Sequence, residues 1–582
     1  MRRSRSSYTK KRTFRGNQHV SSQQNNQEPA RQISASAGKI TKSKRPKLDD
    51  NHKGNEESTV SGYRFVDMAI LSSIFKNLPC KECLECCLIL QEMNGKRKGC
   101  ASCLRLLCCS CGWSIQFSTS KQISKFFEVN RRLVYSMRSI GCGRAAAKRF
   151  CGLMNMPPPP RPTPYSRHNK ALLKAVKEVS LETMTDAATE IHTKDGESIN
   201  DIVQCGISCD GTWQRRGFSS LNGCVTVISI DTGKVLDVEA LSKVCKQCKD
   251  HEDDKDSPQN AAWRVDHEGK CKANFTGSAP AMEPQGAMRI FSRSIDDHKL
   301  MYNEYFGDGD SKSFQNVKDV YQDQGVTVEK KECVGHVQKR LGTALRKLKK
   351  EKKGLGGKGR LTDSMIDKMQ NYYGIAIRGN PGNLEGMKKG IHATLFHCAS
   401  SEKRPLHNHC PEGANSWCGY MRDKANNTQT YKHGAGLPVD VAAALKPVFQ
   451  RLSEDSLLSK CLDGKTQNQN ECLNGMIWER VPKGTFVGSD VLQLGMYDAV
   501  ANFNIGCKAS IKTLDKLGIS PGQYCQVECH QRDNLRVNKA NYKEQDGIKK
   551  RRKLLRGRKK KKSDKAQEKE GVTYAAGSSS FV

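Results

Sequence analysis

Three short apolar runs crowd together at 202–209, 221–230 and 235–241, and the last two are joined by the turn Asp231-Thr232-Gly233-Lys234. Runs this short and this rich in Val, Ile and Cys read as buried strands, and a four-residue turn between two of them makes a hairpin. A helical pattern follows over 280–295, then a strand over 300–306 and a helix over 314–322. Strand, hairpin, helix, strand, helix in that order confines the chain to a mixed α/β sheet.

The acidic residues fall at the ends of these elements. Asp210 closes the first run in Ile207-Ser208-Cys209-Asp210-Gly211-Thr212-Trp213, and Gly307-Asp308-Gly309-Asp310-Ser311 follows the strand over 300–306. In open α/β folds, side chains leaving the strand ends project toward a ligand crevice. Either aspartate taken alone is equally well a turn or helix-cap residue. Glu471 stands in Asn470-Glu471-Cys472-Leu473-Asn474 on a helical pattern. Glu471, Asn474 and Trp478 share one face of that helix, and Leu473 and Ile477 on the neighbouring face would pack on the sheet. Three carboxylates of this kind are what a two-metal phosphoryl-transfer site needs, because ions about 3.5–4 Å apart must be bridged and flanked by oxygen. The element order fits a ribonuclease-H-like mixed sheet.

Charge points to the partner. The chain of 582 residues has a formal charge of +36. Residues 1–53 and 531–582 each carry an excess of 11 positive charges, and 339–360 holds ten basic residues against one acid. Such blocks neutralise phosphates and release counterions, which favours a nucleic-acid partner, with a solvated tail as the bland alternative. Lys44-Arg45-Pro46-Lys47-Leu48 and Lys549-Lys550-Arg551-Arg552-Lys553 resemble nuclear-import signals. No window approaches the roughly 18–20 apolar residues of a membrane span, and the opening MRRSRSSYTKKRTFRG lacks the apolar core of a secretory signal. A nuclear, reducing home is expected, with no membrane partner.

In that setting the 26 cysteines are metal ligands or buried thiols rather than disulfides. Cys245-x2-Cys248 with His267-x3-Cys271 supplies the four ligands of a closed tetrahedral zinc site. Cys80-x2-Cys83 and Cys108-x2-Cys111 make a second, four-cysteine set, in which Cys86, Cys87, Cys100, Cys103 or Cys109 can substitute. A third group, His397, His407, His409, Cys410 and Cys418, lies beside Trp417 and reads as a ligand set or as scattered core and surface residues. Around an Ile140-Gly141-Cys142-Gly143 turn, 134–156 reads as helix, turn, helix, either a DNA-reading unit that offers Arg144 and Lys148 to a major groove or a packing subdomain.

The strings CDGTW (209–213), GDGDSK (307–312), ECVGHVQKRLGTALRKL (332–348), CPEGANSWC (410–418) and GKTQNQNECLNGMIWERVPK (464–483) resemble the transposase domain of Mutator-like and Kolobok-like DNA transposons, found in many animal genomes. The resemblance runs from about residue 60 to about residue 575. It implies a ribonuclease-H-like core with an Asp-Asp-Glu triad and a helical insertion before the glutamate. It carries Asp210, Asp308 and Glu471 over as the catalytic carboxylates, with Asp310 as rival for the second place, and Mg²⁺ or Mn²⁺ beside Zn²⁺ as cofactors. Cys333-x2-His336 resembles a motif such families keep between the second aspartate and the glutamate, where it binds zinc or the cleaved DNA end; a plain helix start is the alternative. With Lys339, Arg340 and Arg346 it forms the expected DNA contact.

The chain is therefore expected to divide into a disordered basic tail (1–60), a Cys-rich zinc module (61–118), a helical stretch (119–160), the first part of the catalytic core (161–335, with a zinc-knuckle insertion over 243–275), a helical basic insertion (336–465), the final core helices (466–530) and a second disordered basic tail (531–582). The expected function, implied by the resemblance, is metal-dependent cleavage and strand transfer at transposon ends by a homo-oligomer on double-stranded DNA, both the transposon ends and the target. The alternative is a domesticated, non-catalytic zinc protein that binds DNA in chromatin or transcription. Because 22 of the 36 excess charges sit in the tails, trimming both should flatten the salt dependence of DNA binding more than it alters sequence preference. An unchanged salt slope in the trimmed chain would make the tails solvated bystanders.

Overall fold

The computed structural model describes residues 60–198, 200–214, 220–251, 257–307, 312–428, 430–434, 436–545, 547–549, 551–552 and 554–555. Residues 1–59, the chain from 556 onward, and Asp308 and Asp310 lie outside the described residues. Of the first of two compact units, Met1–Gly62, only 60–62 are described; every element below belongs to the second, Tyr63–Val582.

The Cys-rich module opens with α1 (Met68–Lys76) and continues as an antiparallel meander of β1 (Leu88–Glu92), β2 (Cys103–Cys108) and β3 (Ser114–Ser118). Its buried apolar centre is small, Cys80, Leu88 and Cys108. The two-residue strands β4 (Gln122–Ile123) and β5 (Phe126–Phe127) lead into α2 (Glu128–Ser139) and α3 (Arg144–Leu153). Gly141 in the turn has φ +74°, and a Cβ there would sit 2.3 Å from the carbonyl oxygen of Glu479. Only glycine allows both the left-handed backbone and that approach. The proline run ends the helical stretch, and α4 (Pro162–Asp195) starts afresh with Pro162 in its first turn, where a missing N–H costs nothing.

The central sheet is built from β6 (Val203–Trp213), β7 (Asn222–Ser229), β8 (Val235–Ser242), β9 (Leu300–Gly307) and β10 (Glu329–Glu332), in the spatial order β8-β7-β6-β9-β10. β7 runs antiparallel to both β6 and β8, whereas β9 lies parallel to β6 and β10 parallel to β9. Between β8 and β9 come α5 (Lys246–Asp250), α6 (Pro258–Glu268) and α7 (Met282–His298); between β9 and β10 comes α8 (Lys312–Val317). Val225 and Val227 of β7 meet Ile290 and Phe291 of α7 on one face. Cys224 and Ile228 meet Leu473, Ile477 and Met496 on the other. Both faces are covered, so every residue of β7 is buried and the sequence reads as a continuous apolar run.

Two expectations change here. The helix expected over 314–322 stops at Val317, and β10 had no sequence signal because its four residues are Glu-Lys-Lys-Glu. An edge strand pairs on one side only, so charge there is tolerated and discourages edge-to-edge association.

After β10 the chain leaves the sheet for α9 (Val334–Glu351), α10 (Asp363–Arg378), α11 (Leu384–Ala399), α12 (Gly419–Asn426), α13 (Val439–Arg451) and α14 (Asp455–Leu458). This insertion has its own core, including Leu341, Ile366, Tyr373, Ile391 and Phe449. It closes where it opens: the Val334 N–H donates to the Lys465 carbonyl at 3.3 Å. The chain then returns as α15 (Asn468–Arg480), α16 (Ser489–Ile505), α17 (Lys508–Lys516) and α18 (Gln523–Glu544). The tail expected to be disordered from 531 is thus helical to Glu544. Asp533 anchors it by accepting the Cys507 N–H at 2.9 Å, and Cys529 is buried one turn earlier.

A buried polar triad ties three of these helices together. Arg480 of α15 forms an ion pair with Asp498 of α16, at 8% and 4% side-chain exposure, and Tyr135 of α2 donates to the other Asp498 oxygen at 3.0 Å. Asp498→Ala leaves the guanidinium buried without its counter-charge, which costs about 3–5 kcal/mol. The expected result is a clear fall in the denaturant midpoint of unfolding; an unchanged midpoint would remove the triad as a stabilising joint.

Candidate functional site

β6 and α15 are stitched side by side. Ser208 Oγ donates to Asn470 Oδ1 at 2.7 Å, Asn474 Nδ2 donates to Asp210 Oδ2 at 2.7 Å, and Trp478 Nε1 donates to Thr212 Oγ1 at 2.8 Å. Alternate residues of a strand lie on one face and advance about 6.6 Å per pair. Every fourth residue of a helix advances about 6.0 Å along nearly the same line. The two periods nearly coincide, so three strand residues meet three helix residues in register.

Asp210 does not end its strand, as its sequence position suggested. β6 stays paired with β7 as far as Trp213, with Asp210 opposite Thr226, but its pairing with β9 stops at Ser208 opposite Phe306. From Cys209 onward β6 has parted from β9 and forms one arm of a fork. Gln467, 6% exposed, spans the fork: its amide donates to the Cys209 carbonyl at 3.0 Å and the Phe306 carbonyl at 3.3 Å. It satisfies two carbonyls that the split leaves without a partner strand. Asp210 sits just past this fork on the face turned to α15. β9 ends at Gly307, directly before Asp308 in the chain.

Glu471 is exposed and lies in the first turn of α15, between Asn470 and Asn474. Leu473 and Ile477 are fully buried against the sheet as expected. Burial holds the Cys209 thiol well above its usual value, reinforced by Glu283 and Asp210, so it stays neutral beside the carboxylate. Glu283, in the first turn of α7, approaches the opposite face of β6: a Cβ on Gly211 would meet its side chain at 2.8–2.9 Å. This close approach explains the glycine of the Cys-Asp-Gly-Thr-Trp string. Ser208, Gln467, Asn470 and Glu283 were missed by sequence reasoning. A signal for the first three existed in the alternation Ser208, Asp210, Thr212 along an otherwise apolar strand, facing an amide-rich helix.

Three sets of side chains converge with metal-binding spacing, each with all four ligand atoms within 4.8 Å of one another. They are Cys80, Cys83, Cys108 and Cys111; Cys245, Cys248, His267 and Cys271; and His397, His407, Cys410 and Cys418. Tetrahedral zinc with ligands at about 2.0–2.3 Å sets them about 3.3–3.8 Å apart. The separations are 3.7 Å for Cys80–Cys111, 3.5 Å for Cys83–Cys108, 3.3 Å for Cys245–His267 Nε2 and 3.5 Å for Cys248–Cys271. The Cys111 backbone N–H leads in lowering the Cys108 thiol to about 6. Cys245 also falls to about 6: burial opposes the shift, but N–H groups of Lys272 and Cys248, with His267, outweigh it. The thiols beside them rise instead: burial and hydrogen bonds to Cys271 and Cys245 push Cys248 up to about 12, and Cys111 also reaches about 12 despite the opposing Trp113 N–H, so in each set one thiol takes the charge first. Of the substitutes in the first set, Cys87 stays close, 3.4 Å from Cys108. His409 drops out of the third set and stacks on Phe396 instead.

The remaining residues considered for DNA contact are spread out. Cys333 is the buried N-cap of α9, and neither it nor His336 joins a metal cluster among the described residues. Arg340 pairs with buried Glu332 at 2.8 Å and Arg346 with Asp367 at 2.5 Å, while Lys339 is exposed. In α3, Arg144 donates to the Pro160 carbonyl at 2.9 Å, and Lys148 is exposed. The expected helix, turn, helix is present over α2 and α3. No helix among the described residues is long and apolar enough to cross a membrane.

The family description "Mutator-like transposase" matches residues 62–418 of the chain. This chain belongs to the Mutator-like transposase family. No curated protein and no solved structure matches it. Family membership gives it a function of transposase type, with DNA as the implied partner. The matched span takes in all three Cys/His clusters and Asp210, and it stops short of α15 and Glu471.

Zinc should accompany the purified protein. Replacing Cys245 and Cys248 together by Ser should remove one zinc per chain in metal analysis, and a variant with full zinc content would remove this cluster from the account.

Proposed function

We propose that the chain is a Mutator-like, Kolobok-like DNA transposase of animal type, with a ribonuclease-H-like core that cleaves phosphodiester bonds at transposon ends and joins the freed 3′-hydroxyl to target DNA. The observation that carries this reading is Asp210, set just past the fork of two parallel strands and hydrogen-bonded to the helix that presents Glu471 one turn away. The sheet order supports it: three antiparallel strands, then two parallel ones on the far side of the first, then an insertion, then a helix bearing the last carboxylate, is the order such a core has.

In this reading Asp210, Asp308 and Glu471 hold Mg²⁺ or Mn²⁺, with Asp310 the rival for the second place. Their carboxylate oxygens are the hard donors such ions take. Bound there, divalent metal supplies activation of the attacking water or hydroxyl and stabilisation of the leaving oxygen. Asn474 orients Asp210 by donating to one carboxylate oxygen, and Gln467 keeps the fork open. Exposed basic residues, Lys339 and Lys148 among them, hold phosphate backbone. Zinc braces the Cys/His modules. The protein acts in the nucleus as a homo-oligomer on DNA.

Asp210→Asn, Asp308→Asn and Glu471→Gln keep size and hydrogen bonding but delete the charge that holds metal. Each should lower strand cleavage to background on DNA carrying the element's ends while binding stays nearly intact. Asp310→Asn should cost less than Asp308→Asn. A normally cleaving Glu471→Gln variant overturns the assignment. A wild-type chain that binds these ends but never nicks them, with any divalent metal, is instead a domesticated DNA-binding protein.

A further inference from the structure

We propose that His397, His407, Cys410 and Cys418 form a third structural zinc site, and that Glu402 and His433 act on it through His407. Zinc is the metal class because two thiolates and two imidazoles make a closed tetrahedral set with no open position.

The geometry is specific in its atoms. His397 Nδ1 lies 3.3 Å from His407 Nδ1, 3.8 Å from Cys410 Sγ and 3.6 Å from Cys418 Sγ; His407 Nδ1 lies 3.7 Å and 3.4 Å from the same two sulfurs. All five separations fall in the range of about 3.3–3.8 Å that tetrahedral zinc imposes. Both histidines present Nδ1, and that choice is enforced for His407 by its other nitrogen. His407 Nε2 is 2.9 Å from Ser400 Oγ and 3.0 Å from His433 Nε2, and His433 Nδ1 is 2.9 Å from Glu402 Oε2. A carboxylate, a histidine and a ligating histidine in sequence form the outer-sphere chain that fixes tautomer and ring orientation around protein-bound metals.

The fold also needs the site. Nineteen residues separate α11 from α12, with one isolated bridge, Ser401 to Arg404, and no helix or strand. Loops of this length without elements of their own are uncommon in a packed domain. The buried apolar cluster under this one is small, Ala393, Cys410, Cys418 and Met421, with Tyr420 packed against it and the rings of Trp417 and Tyr431 beside His397 and His407. Yet His407 is 2% exposed, Cys410 4% and Cys418 0%. Four convergent donors, three of them buried and His397 half-buried, inside a loop with no helix or strand are what a metal organises, since one ion joins the end of α11, the middle of the loop and the start of α12.

Metal analysis of the full chain tests this. The Cys410→Ser/Cys418→Ser variant should hold one zinc fewer per chain than the wild type, and equal zinc content in the two would overturn the site. Because the double variant can unfold the insertion, a second arm leaves the ligands intact. His433→Ala should release one zinc about 10–100-fold more readily to a chelator and leave the remaining zinc as in the wild type. Identical release profiles would overturn the role given to His433 and Glu402.

Discussion

The register between β6 and α15 is the interaction on which the rest of the core depends. Three hydrogen bonds join residues 262 to 266 positions apart in the chain. They form because a strand's two-residue repeat and a helix's four-residue repeat advance by nearly the same distance. A slip of one strand residue would bring Cys209, Gly211 and Trp213 to the helix and turn Asp210 toward α7. The amides and the indole act as a ruler that sets which side of the sheet carries the acid, and apolar contacts from Leu473 and Ile477 supply the burial that holds the ruler in place.

What reaches that register from outside is transmitted through packed helices. The insertion enters beside Lys465 and hands the chain to α15 three residues later, so its own core fixes where that helix begins. At the other end of α15, Arg480 is locked to Asp498 and through it to Tyr135, and Gly141 of the α2–α3 turn lies against the Glu479 carbonyl. The helix that presents Glu471 is thus held at both ends, by the basic insertion on one side and by the α2–α3 pair on the other.

The Cys/His clusters occur where apolar surface runs short. The module around β1 to β3 buries only a handful of apolar side chains, the short helices of 245–271 contribute Trp263 stacked on His267, and the loop at 397–418 has a small apolar cluster beneath it. Small units that cannot offset chain entropy by burial are commonly braced by metal. Metal held at such clusters would let short, polar, basic segments keep a shape beside a core that is itself packed on both sides of its sheet.

The sequence by itself determined the local elements: the hairpin of β7 and β8, the strands bearing Asp210 and ending before Asp308, the helix of Glu471, the cysteine pairs at 80–83, 108–111 and 245–248, and the His267–Cys271 pair. Their signals are short-range, apolar periodicity and ligand spacing within a few residues. It did not show β10, whose Glu-Lys-Lys-Glu composition is tolerable only on a sheet edge, nor that α18 continues through a charged stretch held by Asp533. Tertiary structure alone decided that β6 runs on past Asp210 beside β7 while parting from β9, that Gln467 fills the parting, and that His397 and His407 rather than His409 meet Cys410 and Cys418. Each of those depends on which distant residues share a face, and that follows from packing periods meeting across the fold rather than from any pattern within one segment.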